Sequence, residues 1–316
     1  MQLQGVQSVS PASDFSHCRM CGHQCGVDRS RALGYCQLDD QLRIAAICRH
    51  HGEEPALGGP GGVCNVFLAH CTMQCLYCQN YQISDNRLLC TSHRISLDEA
   101  VRRIAEHVRN GCTTVGFVSP TSQVPWVLRI IEGLWVQNLR PVVVYNTGAY
   151  DEPSTIAILR GYVDVYLPDY KYGSYDLAQS LSGVRNYPDY ALDSIAAMVD
   201  QVGTTLQLDA EGIARRGLIV RHLVLPGQAE NTRSALLNLQ MEFGRELTIS
   251  LLGQYTPTSR VHGHPFLSAS LRAEEYEQAV DFMLSLGFHH GWTQGLESAG
   301  QYTPDFSQRD PFASIR

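Results

Sequence analysis

Three thiols, Cys71, Cys75 and Cys78, fall within eight residues in a C-x3-C-x2-C pattern. One loop with this spacing can wrap one metal centre, and two centres suit it. A four-iron cluster takes four ligands, so three thiolates leave one iron open to a small molecule. A zinc ion would borrow a fourth ligand, for which His70 is the candidate. On spacing alone the two readings stand level, and three inert packing thiols are the plain alternative. Upstream, Cys18, Cys21, Cys25 and Cys36 place four thiols within nineteen residues, a complete set for zinc or for an iron–sulfur cluster. His17, His23 and Cys48 are weaker alternates there. All eleven cysteines lie between Cys18 and Cys112, an odd and clustered set that argues for metal over a disulfide scaffold. Cys64, Cys90 and Cys112 read as packing thiols.

Polar residues recur where strands should end. Asp169 and Lys171 are two apart, so an extended segment turns both to one side; a surface ion pair is the bland alternative. Arg221 offers a planar fork suited to a carboxylate, while His222 faces the other way and reads as structural. Asn146 and Thr147 follow a strand, as do Gln254 and Tyr255, and all four are candidates to line a site there. Ser119 and Thr121 offer hydroxyl and carbonyl acceptors, and Ser122 fits a helix N-cap. His262, His264, His289 and His290 are scattered and read as solvated loop residues.

These residues need a frame. Beyond the glycine run Gly58-Gly59-Pro60-Gly61-Gly62, strand and helix patterns alternate. Strands are expected at about 63–69, 113–118, 141–145, 163–167, 218–225 and 247–252. Helices are expected at 97–109, 124–136, 154–159, 191–202, 234–243 and 274–286, the first opened by a Ser96/Glu99 capping box. This gives about six βα units, hence a parallel sheet with right-handed crossovers and polar groups at the strand C-terminal ends. The expected organisation is a flexible tail (1–16), a strand-poor Cys-rich module (17–60), an α/β barrel domain (61–300) and a C-terminal tail (301–316).

The thiol loop, with Tyr77 before its last Cys, resembles the signature of the radical S-adenosylmethionine (SAM) superfamily. CQNYQIS, YNTGAYD, DVYLPDYKYG and RGLIVRHLVLPG resemble the branch related to the pyruvate formate-lyase activating enzyme. The resemblance covers nearly the whole chain. It implies an open barrel of six strands, with a [4Fe–4S] cluster on Cys71, Cys75 and Cys78. The open iron would take the amino and carboxylate groups of SAM. Reductive cleavage of SAM would give a 5′-deoxyadenosyl radical that abstracts hydrogen from a protein, peptide or small molecule. A glycyl-radical-enzyme backbone is one such substrate, and a flavodoxin- or ferredoxin-like protein the electron donor. Tyr77, Asp169, Lys171 and Arg221 are implied near the cluster and SAM. The family's GGE-like turn is replaced by Ser119-Pro120-Thr121-Ser122, leaving Ser119 and Thr121 to meet the amino group. The activases with extra clusters carry them after the radical SAM loop, whereas this chain's four-thiol set precedes it. Iron–sulfur is preferred to zinc there, because the chain already requires cluster loading and an electron route.

The competing class is a metal-bound scaffold or electron-transfer protein that never cleaves SAM. A net charge of −7 argues against nucleic acid as a partner. No apolar run approaches the roughly 20 residues of a membrane span, and the N-terminus lacks signal-peptide character, so a cytoplasmic protein without a membrane partner is expected.

Overall fold

A computed structural model describes residues 15–89, 91–296, 300, 303–308 and 310–313. The tail expected at 1–16 lies outside them up to residue 14, as does Cys90; the segment 301–316 is described only in part. Four parallel strands, β2 (Val63–Leu68), β3 (Thr114–Val118), β4 (Val142–Thr147) and β5 (Val165–Pro168), lie side by side in chain order. Every residue in them is buried, as a sheet covered on both faces requires. At one edge, β1 (Ile44–His50) pairs antiparallel with β2. This strand lies within the segment expected to be strand-poor; its arginine and histidine hide the β pattern.

The strand expected over 218–225 is two strands, β7 (Ala214–Leu218) and β8 (Val220–Leu223), joined to a two-residue β6 (Gln207–Leu208) on the edge side. Gly217 sits at φ 136°, and a Cβ there would strike the Thr205 carbonyl, so the chain kinks where only glycine fits. Before the kink β7 pairs with β6, and at Gly217 and Leu218 it pairs with β5; beyond Ile219 β8 pairs with β9 (Ile249–Leu252), which pairs with β10 (Gly291–Thr293). Ile219 N–H donates to the Tyr166 carbonyl at 3.0 Å, and Asp169 bridges Arg221, so the wall continues past the break. The result is an α/β partial barrel of six parallel strand units, as expected, with β1 and β10 added at its edges.

Helices cover the outside. α1 (Leu97–Arg109) starts at Ser96, whose hydroxyl accepts from Glu99 N–H at 3.2 Å, and buries Val101, Ile104 and Ala105. α2 spans Val124–Val136, as expected. Its start differs: residues 121–123 form a 3-10 turn, so the Ser122 hydroxyl caps nothing and is buried without a partner. Among the described residues no helix is long and apolar enough to cross a membrane.

Candidate active site

Residues 71–78 leave the C-terminal end of β2 as a loop held from below. The buried Gln123 amide donates to the Ala69 and Arg43 carbonyls at 3.2 and 3.0 Å. Each thiol has its own donor: Met73 N–H to Cys71 Sγ at 3.3 Å, and the Ser182 hydroxyl to Cys75 Sγ at 3.0 Å. The Asn80 amide bonds the Cys78 sulfur, which also lies 3.3 Å from the Ser84 hydroxyl. Asn86 brackets Cys71, accepting from its N–H at 3.3 Å and donating to its carbonyl at 3.1 Å. Burial pushes the Cys71 thiol up to about 12, and Cys78 up as well. Cys71 and Cys78 therefore stay as thiols until a cation binds, and loading them releases protons. Among the described residues no three His, Cys, Asp or Glu side chains are grouped to hold a single metal ion. Three separately supported sulfurs around a shared cavity fit a multi-iron cluster.

The three thiols open onto a cavity of about 180 Å³, whose far wall carries Asn146, Asp169, Lys171 and Arg221. These polar groups stand at the ends of β4, β5 and β8, where barrel enzymes place their sites. Asp169 joins two cations: Lys171 Nζ at 2.6 Å on one oxygen and Arg221 Nε at 2.6 Å on the other. Arg221 also donates to Asn146 Oδ1 at 2.8 Å and lies 3.8 Å from Glu53. Burial pushes the Asp169 carboxyl up, but Arg221 and Lys171 outweigh it and hold the group at about 2. Burial works against the charge on Lys171, which the Asp169 carboxylate more than restores. Tyr187 fixes this segment by donating to the Asp169 carbonyl at 2.6 Å and accepting from Lys171 N–H at 2.8 Å.

Not every expected residue arrives. Ser119 lines the cavity with a left-handed φ of 56°, but the Thr121 hydroxyl turns into the wall, 3.2 Å from that of Thr147. Thr147 in turn donates to the buried Asp151 at 2.5 Å, beside Tyr145 at 2.7 Å. Thr121 thus belongs to a polar network behind the site rather than to its surface. Tyr77 both lines the cavity and packs edge-on to Tyr172, with ring centroids 6.3 Å apart. Gln254 reaches the cavity, whereas Tyr255 is buried and donates to the Leu267 carbonyl at 2.5 Å. His222 is structural, buried between the Tyr170 carbonyl and the Thr232 hydroxyl. Cys48, Cys64 and Cys112 are buried. His262, His289 and His290 are exposed and His264 half-buried. Ser182 and Asn86, which hold the thiol loop, were not legible: Ser182 is 107 residues from Cys75, and Asn86 follows the CQNYQIS stretch as a polar residue with no spacing that ties it to Cys71.

The upstream thiols form a second group. Cys18 and Cys36 are buried, Cys21 and Cys25 half-buried. Tyr35 N–H donates to Cys25 Sγ at 3.3 Å, and the amides of His23 and Leu38 bond the Cys21 and Cys36 sulfurs. The segment docks on the loop after β4: Cys21 bridges Asp151, and Gly22 N–H donates to the Tyr150 carbonyl at 3.2 Å. His23 stacks on Tyr35 with centroids 3.6 Å apart and places Nε2 2.8 Å from the Thr72 carbonyl. Asn86, already on Cys71, also donates to the Tyr35 carbonyl at 3.0 Å.

No family model matches the chain. It is 27% identical over 272 residues to an uncharacterized protein of Methanocaldococcus jannaschii, covering 84% of this chain and 74% of that one. Among solved structures it is similar to Streptococcus suis SuiB bound to the precursor peptide SuiA (TM-score 0.52, 15% identity, 78% of this chain and 52% of SuiB). It is also similar to the FeFe-hydrogenase maturase HydG of Carboxydothermus hydrogenoformans (TM-score 0.53, 14% identity, 73% of this chain and 52% of HydG). Both are radical SAM enzymes. The chain has the radical SAM fold. It spans about half the length of these two structures. In this fold the thiol loop and the Asp169–Arg221 wall face each other across the mouth formed by the strand C-terminal ends.

Proposed function

We propose that the chain is a radical SAM enzyme, with a [4Fe–4S] cluster on Cys71, Cys75 and Cys78 and SAM in the adjoining cavity. One observation carries this reading. Three thiols, each with its own hydrogen-bond donor, open onto the same cavity as the Lys171–Asp169–Arg221 chain. When bound and reduced, the cluster and SAM supply a 5′-deoxyadenosyl radical that takes hydrogen from a substrate. The protein's own part is to bind, orient and exclude water. Arg221 and Lys171 are the cations for the SAM carboxylate, held in place by Asp169 and Asn146. Ser119 is the acceptor for the amino group where the family has a glutamate. Tyr77 and Met73 wall the cavity beside the thiols, and a closed wall protects a radical that would attack any nearby C–H bond.

The upstream thiols take a second metal, with iron–sulfur preferred to zinc. The amide donors on Cys21, Cys25 and Cys36 suit thiolate sulfur, and the His23–Tyr35 stack lies between the two thiol groups. On this reading the upstream centre is the electron entry point, and a flavodoxin- or ferredoxin-like protein is the donor. The sequence motifs favour the activating-enzyme-related branch, and the likeness to a peptide-bound SuiB favours a peptide or protein substrate.

The test is anaerobic reconstitution with iron and sulfide, reduction with dithionite, and assay of 5′-deoxyadenosine. Product is expected from the wild type and none from a variant with Cys71, Cys75 and Cys78 all changed to Ala. Absence of product from cluster-loaded, SAM-bound wild type would sink the reading in favour of a non-catalytic scaffold. Metal analysis of the same variant reads the upstream site: residual iron supports a second cluster, and zinc without iron refutes it.

A further inference from the structure

Beyond the SAM cavity lies a second chamber of about 310 Å³, entered past Arg221, Leu252 and Gln254, which line both. Its far side is formed by Glu53, Glu54, Ser250, Trp292 and Gln294. Two features of this chamber are chemically incomplete. Glu54 is 7% exposed, yet one of its carboxylate oxygens is buried with no hydrogen-bond partner. Gln294 donates its amide nitrogen to Gln254 Oε1 at 3.0 Å, while its own amide oxygen is likewise buried and unpartnered. A buried acceptor left unpaired costs about 1–3 kcal/mol, more when it is charged. Both residues line one chamber next to a reactive site, and a turn of either side chain would bring its unpaired oxygen to a ligand that carries donors.

The charge balance narrows the ligand. Across the two cavities stand Asp169, Glu53 and Glu54 against Lys171 and Arg221, three carboxylates to two cations. Arg221 is committed to Asp169 and Asn146, and it approaches Glu53 only to 3.8 Å. Glu53 is further held by the Asn65 amide at 2.7 Å. Glu54 therefore has no cation of its own in hydrogen-bond contact. Burial raises its pKa, with Arg221 pulling the other way and Ser250 hydrogen-bonding the carboxylate, which leaves one oxygen of the group without a partner.

We propose that this chamber is the substrate subsite, and that it takes a cationic nitrogen group, an ammonium or guanidinium, between Glu54 and Gln294. The proposal rests on the function proposed above, since it deepens the same site. The cationic group would arrive on a basic peptide side chain or on a free small cation, with the carbon to be attacked lying back towards Gln254 and the SAM cavity.

Equilibrium dialysis of the anaerobically reconstituted, SAM-loaded protein tests it without requiring turnover. Labelled n-butylguanidinium is compared with its neutral urea isostere, n-butylurea, and the end-capped peptide acetyl-Gly-Arg-Gly-amide with acetyl-Gly-citrulline-Gly-amide, so that the only cation in each pair is the guanidinium. The cationic member of each pair is expected to bind about ten-fold tighter, the worth of a charge-assisted hydrogen bond. If the peptide pair shows the larger preference the source is a peptide; if the butylguanidinium pair does, it is a free small cation. Glu54→Gln is expected to abolish the preference. Gln294→Lys, which sets a cation of the chain's own beside Glu54, is expected to expel both cationic probes and keeps the test open should Glu54→Gln fail to fold. Equal binding of charged and neutral probes, or a preference that survives either variant, overturns the proposal. SAM binding and 5′-deoxyadenosine formation, read in the same samples, report separately on the reaction.

Discussion

At Asp169 one carboxylate serves two cations, and the consequences are local. Removing its charge leaves Arg221 and Lys171 side by side on the cavity wall, with Asn146 as the remaining close hydrogen-bond partner of Arg221. The Asp169→Asn variant is therefore expected to bind SAM about ten-fold more weakly, measured by dialysis, while its iron content stays at the wild-type level. Asp169 and Lys171 were legible in the sequence because residues two apart in an extended segment share a side. Arg221 was legible for the same reason, with His222 turned into the core. Thr121 and Tyr255 misled because a polar side chain near a strand end has two ways to be satisfied. Both found partners behind the wall, Thr147 and the Leu267 carbonyl, which no local pattern reveals.

At the scale of elements, the docking of the Cys-rich segment turns on one small residue. A Cβ on Gly22 would come within 2.5 Å of the Tyr150 ring, while its amide holds the Tyr150 carbonyl. Gly22→Val is expected to cost about 1–3 kcal/mol of overpacking and to loosen this segment selectively. Hydrogen exchange checks it: amides at 18–36 should exchange faster, and those of β2 to β5 should not change. The buried guanidinium of Arg29 anchors the other side of the segment, donating to the Leu38, Asp39 and Ser122 carbonyls. The barrel strands were legible because fully covered parallel strands read as continuous apolar runs. The split at Gly217 was not, because a run that stays apolar across a kink looks like one strand. Nor was β1, whose antiparallel edge position tolerates Arg49 and His50.

For the molecule as a whole, acid sensitivity follows from where its ionisable groups sit. Burial lowers the His222 pKa to about 4, below its usual 6.5. As pH falls through this window the unfolded chain takes up the proton first. The stability that neutral His222 allows is thus complete above pH 6.5 and lost towards pH 4, by up to about 3 kcal/mol. Buried carboxylates such as Asp151 and Asp164, raised by desolvation, oppose it. The comparison is therefore with His222→Gln: subtracting the two denaturation-derived stability profiles should leave a rise with pH between 4 and 6.5. Asp169 acts lower, its contribution present above its usual 3.8 and lost as pH falls towards 2.

The support of Cys75 also has a schedule. Its hydroxyl donor, Ser182, lies 107 residues further along the chain. A ribosome adding roughly 5–20 residues per second takes about 5–20 s to cover that distance. For that interval the nascent thiol loop stands without Ser182 and without the Asp169–Arg221 wall. Oxidants and iron donors alike meet it in that state. Oxygen tension and iron supply during synthesis then act on a thiol loop that still lacks the support the finished fold gives it.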